Sequence, residues 1–218
     1  MDQTIPSPPK NAAKGIIFSV LLISIGYAIL RYHILGPVQW KDFPFFIINK
    51  GFSLAAFILI TINFSLGPLN TLTNKVPKSW LDARKAVGMT GFLLVLIHAL
   101  MSFLIFKKAV YGQFFADNGT LTLIAGISML AGVLAFVVLW GYNLSFQTHL
   151  SEDKAFIGFI TSRKFLIWAL TLGLIHLFFM GYEGWLNPSG WHGGLPPISL
   201  LGFSFGFIGY LLNLFGRK

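Results

Sequence analysis

The chain has 218 residues, 55% of them hydrophobic and only 11% charged, with a mean hydropathy of +0.73. A soluble domain carries about twice that charge, and the net charge of +9 gathers at the ends of apolar runs, which reads as membrane topology and not as a nucleic-acid-binding face. Cysteine is absent, which excludes disulfides, thiolate metal sites, iron–sulfur clusters and covalently attached c-type haem.

Six apolar runs of spanning length predict an all-α integral membrane protein. The expected organisation is a tail over residues 1–14 and a single six-helix bundle over 15–218. The tail, MDQTIPSPPKNAAK, is polar and proline-rich. The first span is expected from about Gly15 to Leu35. A signal peptide is the competing reading, but no small-residue cleavage pattern follows; Arg31, Tyr32 and His33 do. Gly36-Pro37 ends that helix. The second span is expected from about Pro44 to Leu66, carrying Asn49-Lys50 inside its apolar run, with Gly67-Pro68 as its stop.

The basic loop NTLTNKVPKSWLDARK leads into the third span, Arg84 to Leu104, RKAVGMTGFLLVLIHALMSFL, with His98 well inside. The fourth is expected from about Leu121 to Tyr142. Its small residues Ser128, Ala131, Gly132 and Ala135 would let backbones approach closely. A polar, then amphipathic segment follows and is expected at the interface. The fifth span, Arg163 to Glu183, RKFLIWALTLGLIHLFFMGYE, repeats the design of the third around His176. A turn-rich aromatic connection without Lys or Arg leads to the sixth span, about Ile198 to Phe215, with Gly202, Gly206 and Gly209.

With the N-terminus in the cytoplasm, 11 cations fall on the inner side and 5 on the outer half. The positive-inside rule then places both termini in the cytoplasm and both histidines in the outer half.

An ionisable side chain within a span is a functional-site hypothesis by default. His98 lies 13 residues from Lys85, and His176 lies 13 from Arg163, so each imidazole sits roughly 20 Å from its own cationic helix start. Two histidines at matched depth on helices of one direction suit the faces of a haem. The plainer alternative is two unrelated polar residues, each hydrogen-bonded to a neighbouring helix. Small residues stand seven positions before each histidine (Gly91 and Ala169), with Gly173 nearby, and read as room for a macrocycle.

At these residues the chain resembles the ferric reductase-like transmembrane superfamily, and more closely the membrane domain of the STEAP metalloreductases. FPFFIINK (Phe43 to Lys50) is similar to that family's proline-initiated segment ending in Asn-Lys. SWLDARKAVG (Ser79 to Gly88) resembles its approach to the haem helix. His176 with Gly181, and Pro196-Pro197, match two further landmarks.

The resemblance implies one b-type haem between the third and fifth spans, with His98 and His176 as axial ligands of the haem iron. It also implies FAD or FMN at the cytoplasmic face and an outer acceptor such as a ferric or cupric chelate. Relatives with two stacked haems carry two histidines on each ligand helix. Here Lys85, Tyr111, Arg163 and Ser189 occupy the corresponding positions, so a second haem is not expected. The metalloreductases' N-terminal NADPH-binding domain has no counterpart in these residues. The expected donor is a separate flavin reductase, a reduced flavin or a quinol.

Arg84, Lys85, Arg163 and Lys164 would hold flavin phosphates or serve as topology anchors. Trp80 would stack on a flavin or anchor the interface. Lys50 would snorkel or meet a haem propionate. His33 and His149 read as solvated, and His192 as a turn residue. The leading expectation is a transmembrane electron-transfer haem protein in a bacterial inner membrane, of the metalloreductase type if it is an enzyme. The alternatives are a haem-b subunit serving a periplasmic redox enzyme and a haem-free six-helix transporter. A homo-oligomer stays open; nucleic acid is not an expected partner.

Overall fold

The computed structural model describes residues 12–145 and 153–216. These form seven α-helices: α1 (Ala13–Ala28), α2 (Ile48–Thr73), α3 (Lys78–Ile105), α4 (Leu123–Leu144), α5 (Lys154–Ile160), α6 (Arg163–Trp185) and α7 (Ile198–Phe215). All but the short α5 belong to helical segments long and apolar enough to cross a membrane, so the chain is built as a multi-pass membrane protein. Such segments satisfy their own backbone groups, which hydrocarbon requires.

The helices start where the sequence can satisfy or omit their free N–H groups. Thr122 Oγ1 accepts from Ala125 N at 3.2 Å, Asp153 Oδ1 from Phe156 N at 2.9 Å and Ser162 Oγ from Phe165 N at 3.3 Å. Pro77 and Pro197, which carry no N–H, stand just before α3 and α7.

Two boundaries depart from expectation. Gly67-Pro68 does not end the second span; α2 runs through it to Thr73 and closes on Asn74 in the left-handed conformation (φ 52°). Pro68 leaves Phe64 O without its intrahelical donor, and Arg84 Nε of α3 donates to the neighbouring carbonyl, Asn63 O, at 3.1 Å. α3 likewise begins at Lys78, ahead of the expected Arg84, whereas the first span ends near Leu35 as expected, its last turn, Ile29–Ile34, being π-helical. That wider turn holds Arg31 inside the protein, at 5% exposure.

We call the end where α1 begins and α7 finishes the near face, and the opposite end the far face. α2 is the central helix: 50% of its apolar stretch is buried, against 17–28% for the other five spans. It packs on α1 and α3 on one side and on α7 on the other. α4, α6 and α7 form the second side of the bundle, and α4 meets α3 only along a narrow seam. α3 and α6 make no extensive contact with each other. In the near half the space between them is filled by Ile60, Phe64, Phe92, Leu139, Leu166 and Leu170, with Phe92 and Phe136 stacked at 5.9 Å across the seam.

The small residues of the fourth, fifth and sixth spans set these distances. Phe57 of α2 lies between Gly173 of α6 and Gly206 of α7; a Cβ at either glycine would fall within 2.5 Å of its ring. Gly91 faces Ile60 of α2, and Ala169 lies in the near-half core. The expected room for a macrocycle at Gly91, Ala169 and Gly173 is therefore taken up by helix packing.

The far-face loops interlock. Tyr27 OH donates to Pro196 O at 2.6 Å and Arg31 Nε to Leu195 O at 3.0 Å. His33 is half-buried: its Nδ1 lies 2.7 Å from Val38 O and its ring 4.0 Å from that of Trp40, closing the turn after the first span. His192 packs on Gly36 as a turn residue. His149, Lys10, Arg217 and Lys218 lie outside the described residues.

Candidate functional site

His98 and His176 approach the same depth from two different helices. Ile105, the end of α3, lies seven residues beyond His98; Trp185, the end of α6, lies nine beyond His176. The two imidazoles are within electrostatic reach of each other and of Lys50.

Each ring is oriented through Nδ1 by a neighbouring helix. Asn49 of α2 is buried, and its Nδ2 donates to Ser102 Oγ at 3.0 Å. That fixes its Oδ1 as the acceptor for His98 Nδ1–H, at 2.7 Å, with Ser102 Oγ a further 3.3 Å contact. His176 Nδ1 lies 2.9 Å from the backbone carbonyl of Ser128 on α4. A carbonyl only accepts, so His176 Nδ1 carries the proton. Ser128 Oγ donates to His176 O at 3.0 Å and locks the two helices at this level. Gly132, one turn on from Ser128, makes the approach possible: a Cβ there would stand 2.8 Å from His176 Nδ1.

With Nδ1–H donated in both rings, Nε2 is the lone-pair nitrogen in both. Neither Nε2 has a hydrogen-bond partner among the described residues. Both rings are half-buried, on two helices, α3 and α6, that make no extensive contact with each other. A histidine whose Nδ1–H is held by an oxygen and whose Nε2 is open has the arrangement that outer-shell hydrogen bonds give a metal-bound imidazole.

A cavity of about 420 Å³ opens one turn farther toward the far face. Lys50, the residue after Asn49, lines it, as does Met180, four residues after His176; Arg31, Tyr111, Gln113, Glu183 and Ser199 are among its other polar residues. Lys50 Nζ stands 5.3 Å from the ring centre of Tyr111 and 5.4 Å from that of Phe46. No Asp or Glu pairs with it among the described residues.

The remaining predicted residues stand apart from this cluster, at the near face. Arg84 is half-buried and bonded to Asn63 O. Arg163 donates through Nη2 to Leu214 O, tying the start of α6 to the end of α7. Lys85, Lys164 and Trp80 are exposed. Asn49 and Ser128 are the site residues that sequence reasoning missed in this role. Asn49 carried a signal, a carboxamide inside an apolar run. Ser128 carried none beyond its size.

Fold and site together define a class: a multi-pass helical membrane protein with two oxygen-braced histidines on separate spans. No protein-family model matches the chain, and a search of curated proteins returns no match.

Proposed function

We propose that this chain is a transmembrane electron carrier holding one b-type haem between α3 and α6, with His98 and His176 as its axial ligands. The observation that carries this reading is the matched tautomer of the two rings, each braced at Nδ1 and open at Nε2. The lack of extensive contact between α3 and α6 supports it, because a flat group held between them needs room. Among the described residues no three His, Asp or Glu side chains gather as a metal site. A bare ion at the pair would therefore lack further protein ligands, whereas an iron porphyrin brings four nitrogens of its own. The near half is packed with side chains, in keeping with one haem and not two.

When bound, the haem supplies a one-electron Fe(III)/Fe(II) couple. The chain's residues do the rest. His98 and His176 offer nitrogen lone pairs; Asn49 and the Ser128 carbonyl hold the rings in register and raise their basicity. Phe92, Phe136 and Leu170 exclude water beneath the pair. On this reading the chain belongs with ferric reductase-like membrane domains, with both termini in the cytoplasm of a bacterial cell. Electrons enter from a reduced flavin, quinol or separate reductase at the near face and leave to a ferric or cupric chelate or a periplasmic redox protein at the far face. Arg84, Lys85, Arg163, Lys164 and Trp80 mark the near-face approach.

The test is an optical spectrum of protein purified from haem-sufficient cells. The expected result is a low-spin Soret band that shifts on dithionite reduction and is lost in His98→Ala and His176→Ala but kept in His33→Ala and His192→Ala. A colourless wild-type protein that folds normally would return the chain to the haem-free transporter reading.

A further inference from the structure

The far-face cavity contains two cations from different helices and no carboxylate paired with either among the described residues. Arg31 reaches it from the π-helical turn at the end of the first span, and Lys50 from the start of α2. Arg31 is 5% exposed. Its Nε is taken by Leu195 O, and its guanidinium carbon lies 4.6 Å over the ring of Tyr32. The Nη nitrogens make no hydrogen bond to any described residue. Lys50 is flanked by the rings of Phe46 and Tyr111. Glu183 also lines the cavity, but it is exposed and accepts from its neighbour Tyr182 OH at 3.3 Å.

Burying charge without a counter-charge is costly in a protein interior and more so at membrane depth. Two fixed cations facing one cavity therefore call for an anion with two negative points. We propose that Arg31 and Lys50 form a two-point seat for the two carboxylates on the edge of the haem. This rests on the haem reading above. Asn49, which braces His98, directly precedes Lys50, and Met180 follows His176 by one turn, so the cavity begins where a porphyrin gripped at its centre would project its carboxylate edge. Arg31 offers the fork of N–H donors that suits a carboxylate, and Lys50 a point charge. A dissolved polycarboxylate such as citrate would satisfy the same chemistry, and the experiment separates the two.

The experiment follows haem transfer from detergent-solubilised protein to apomyoglobin, for wild type and Lys50→Met, loaded with either haem or its dimethyl ester. Midpoint potentials are measured on the same samples. With ordinary haem, Lys50→Met is expected to speed transfer by about tenfold or more, as for truncating one partner of a buried charge pair. Its potential should fall, because a nearby cation favours the more negative ferrous form. With the dimethyl ester, wild type and Lys50→Met should behave alike. Arg31→Lys, which keeps the charge but loses the fork, should give a smaller acceleration than Arg31→Met.

Unchanged transfer and potential in Lys50→Met, with a normal bis-histidine spectrum, overturn the seat and leave the haem reading intact. Equal sensitivity to Lys50 with haem and with its ester also overturns it. Haem retention that ignores Lys50, combined with Lys50-dependent citrate binding, assigns the seat to a dissolved carboxylate and overturns the proposal too. A wild-type protein without haem overturns both.

Discussion

The absent methyl group of Gly132 decides where His176 can stand. Gly132→Ala would put a Cβ 2.8 Å from Nδ1, so the ring must turn away from the Ser128 carbonyl. The expected outcome is a folded protein with a weakened or high-spin Soret band, read by absorbance at matched protein concentration. An unaltered low-spin spectrum would show that the brace is dispensable. Asn49→Leu keeps volume but removes the acceptor for His98. Loss of such an outer-shell partner weakens metal affinity by roughly 10–100-fold, and faster haem loss in the apomyoglobin assay would register it. The histidine pair was legible in the sequence because its signal is local: one ionisable residue in each of two similar apolar runs. The braces were not, because Asn49 is 49 residues from His98 and Ser128 is 48 from His176. Nothing in a run of small residues distinguishes one that packs from one that turns its carbonyl to a ring.

At the scale of helices, α2 and α7 show both what periodicity reveals and what it hides. Gly202, Gly206 and Gly209, noted in the sequence without a role, form a close-packing face against Leu177, Phe57 and Thr61. The stop at Gly67-Pro68 failed: α2 continues to Thr73, and an arginine from α3, invisible to any local rule, bonds the turn before the proline. Gly206 has no spare volume beside Phe57, so Gly206→Leu should destabilise the bundle by about 1–3 kcal/mol and lower its thermal midpoint in detergent. Between the same two helices, Thr61 Oγ1, Ser65 Oγ and Asn213 Oδ1 are buried with no hydrogen-bond partner. Replacing an orphaned hydroxyl by an isosteric methyl removes a desolvation penalty of about 1–3 kcal/mol. Thr61→Val is therefore expected to be neutral or stabilising in the same melt, and a loss of several degrees would show that the hydroxyl has a partner in the membrane.

For the whole molecule, the proposed topology puts the near face in the cytoplasm, as the count of cations predicts. Alkaline phosphatase fused after Asn118, in the far-face loop between α3 and α4, is then expected to be active, and fused after Lys75 inactive. The reverse pattern would invert the bundle and the direction of electron flow. The six-span architecture could be read from hydropathy alone, since length and apolarity are sufficient signals for a span. The arrangement of the spans could not, because in lipid every helix is equally apolar and partner choice rests on a few contacts. Phe57 against Gly173 and Gly206 is one such contact, and Arg84 to Asn63 another.

The separation of α3 from α6 also has a consequence in time. Membrane helices emerge from the ribosome in order, N-terminal elements first. The first half of the bundle, α1 to α3, can gather around α2 as soon as it is made, with His98 already braced by Asn49. His176 arrives only with the fifth span, and the wall joining the two halves most extensively, α2 against α7, waits for the sixth. During synthesis His98 is thus a single ligand on an open surface. On the haem reading, cofactor capture is then a late maturation event, and a ribosome stalled before α7 should leave a membrane-inserted but colourless intermediate.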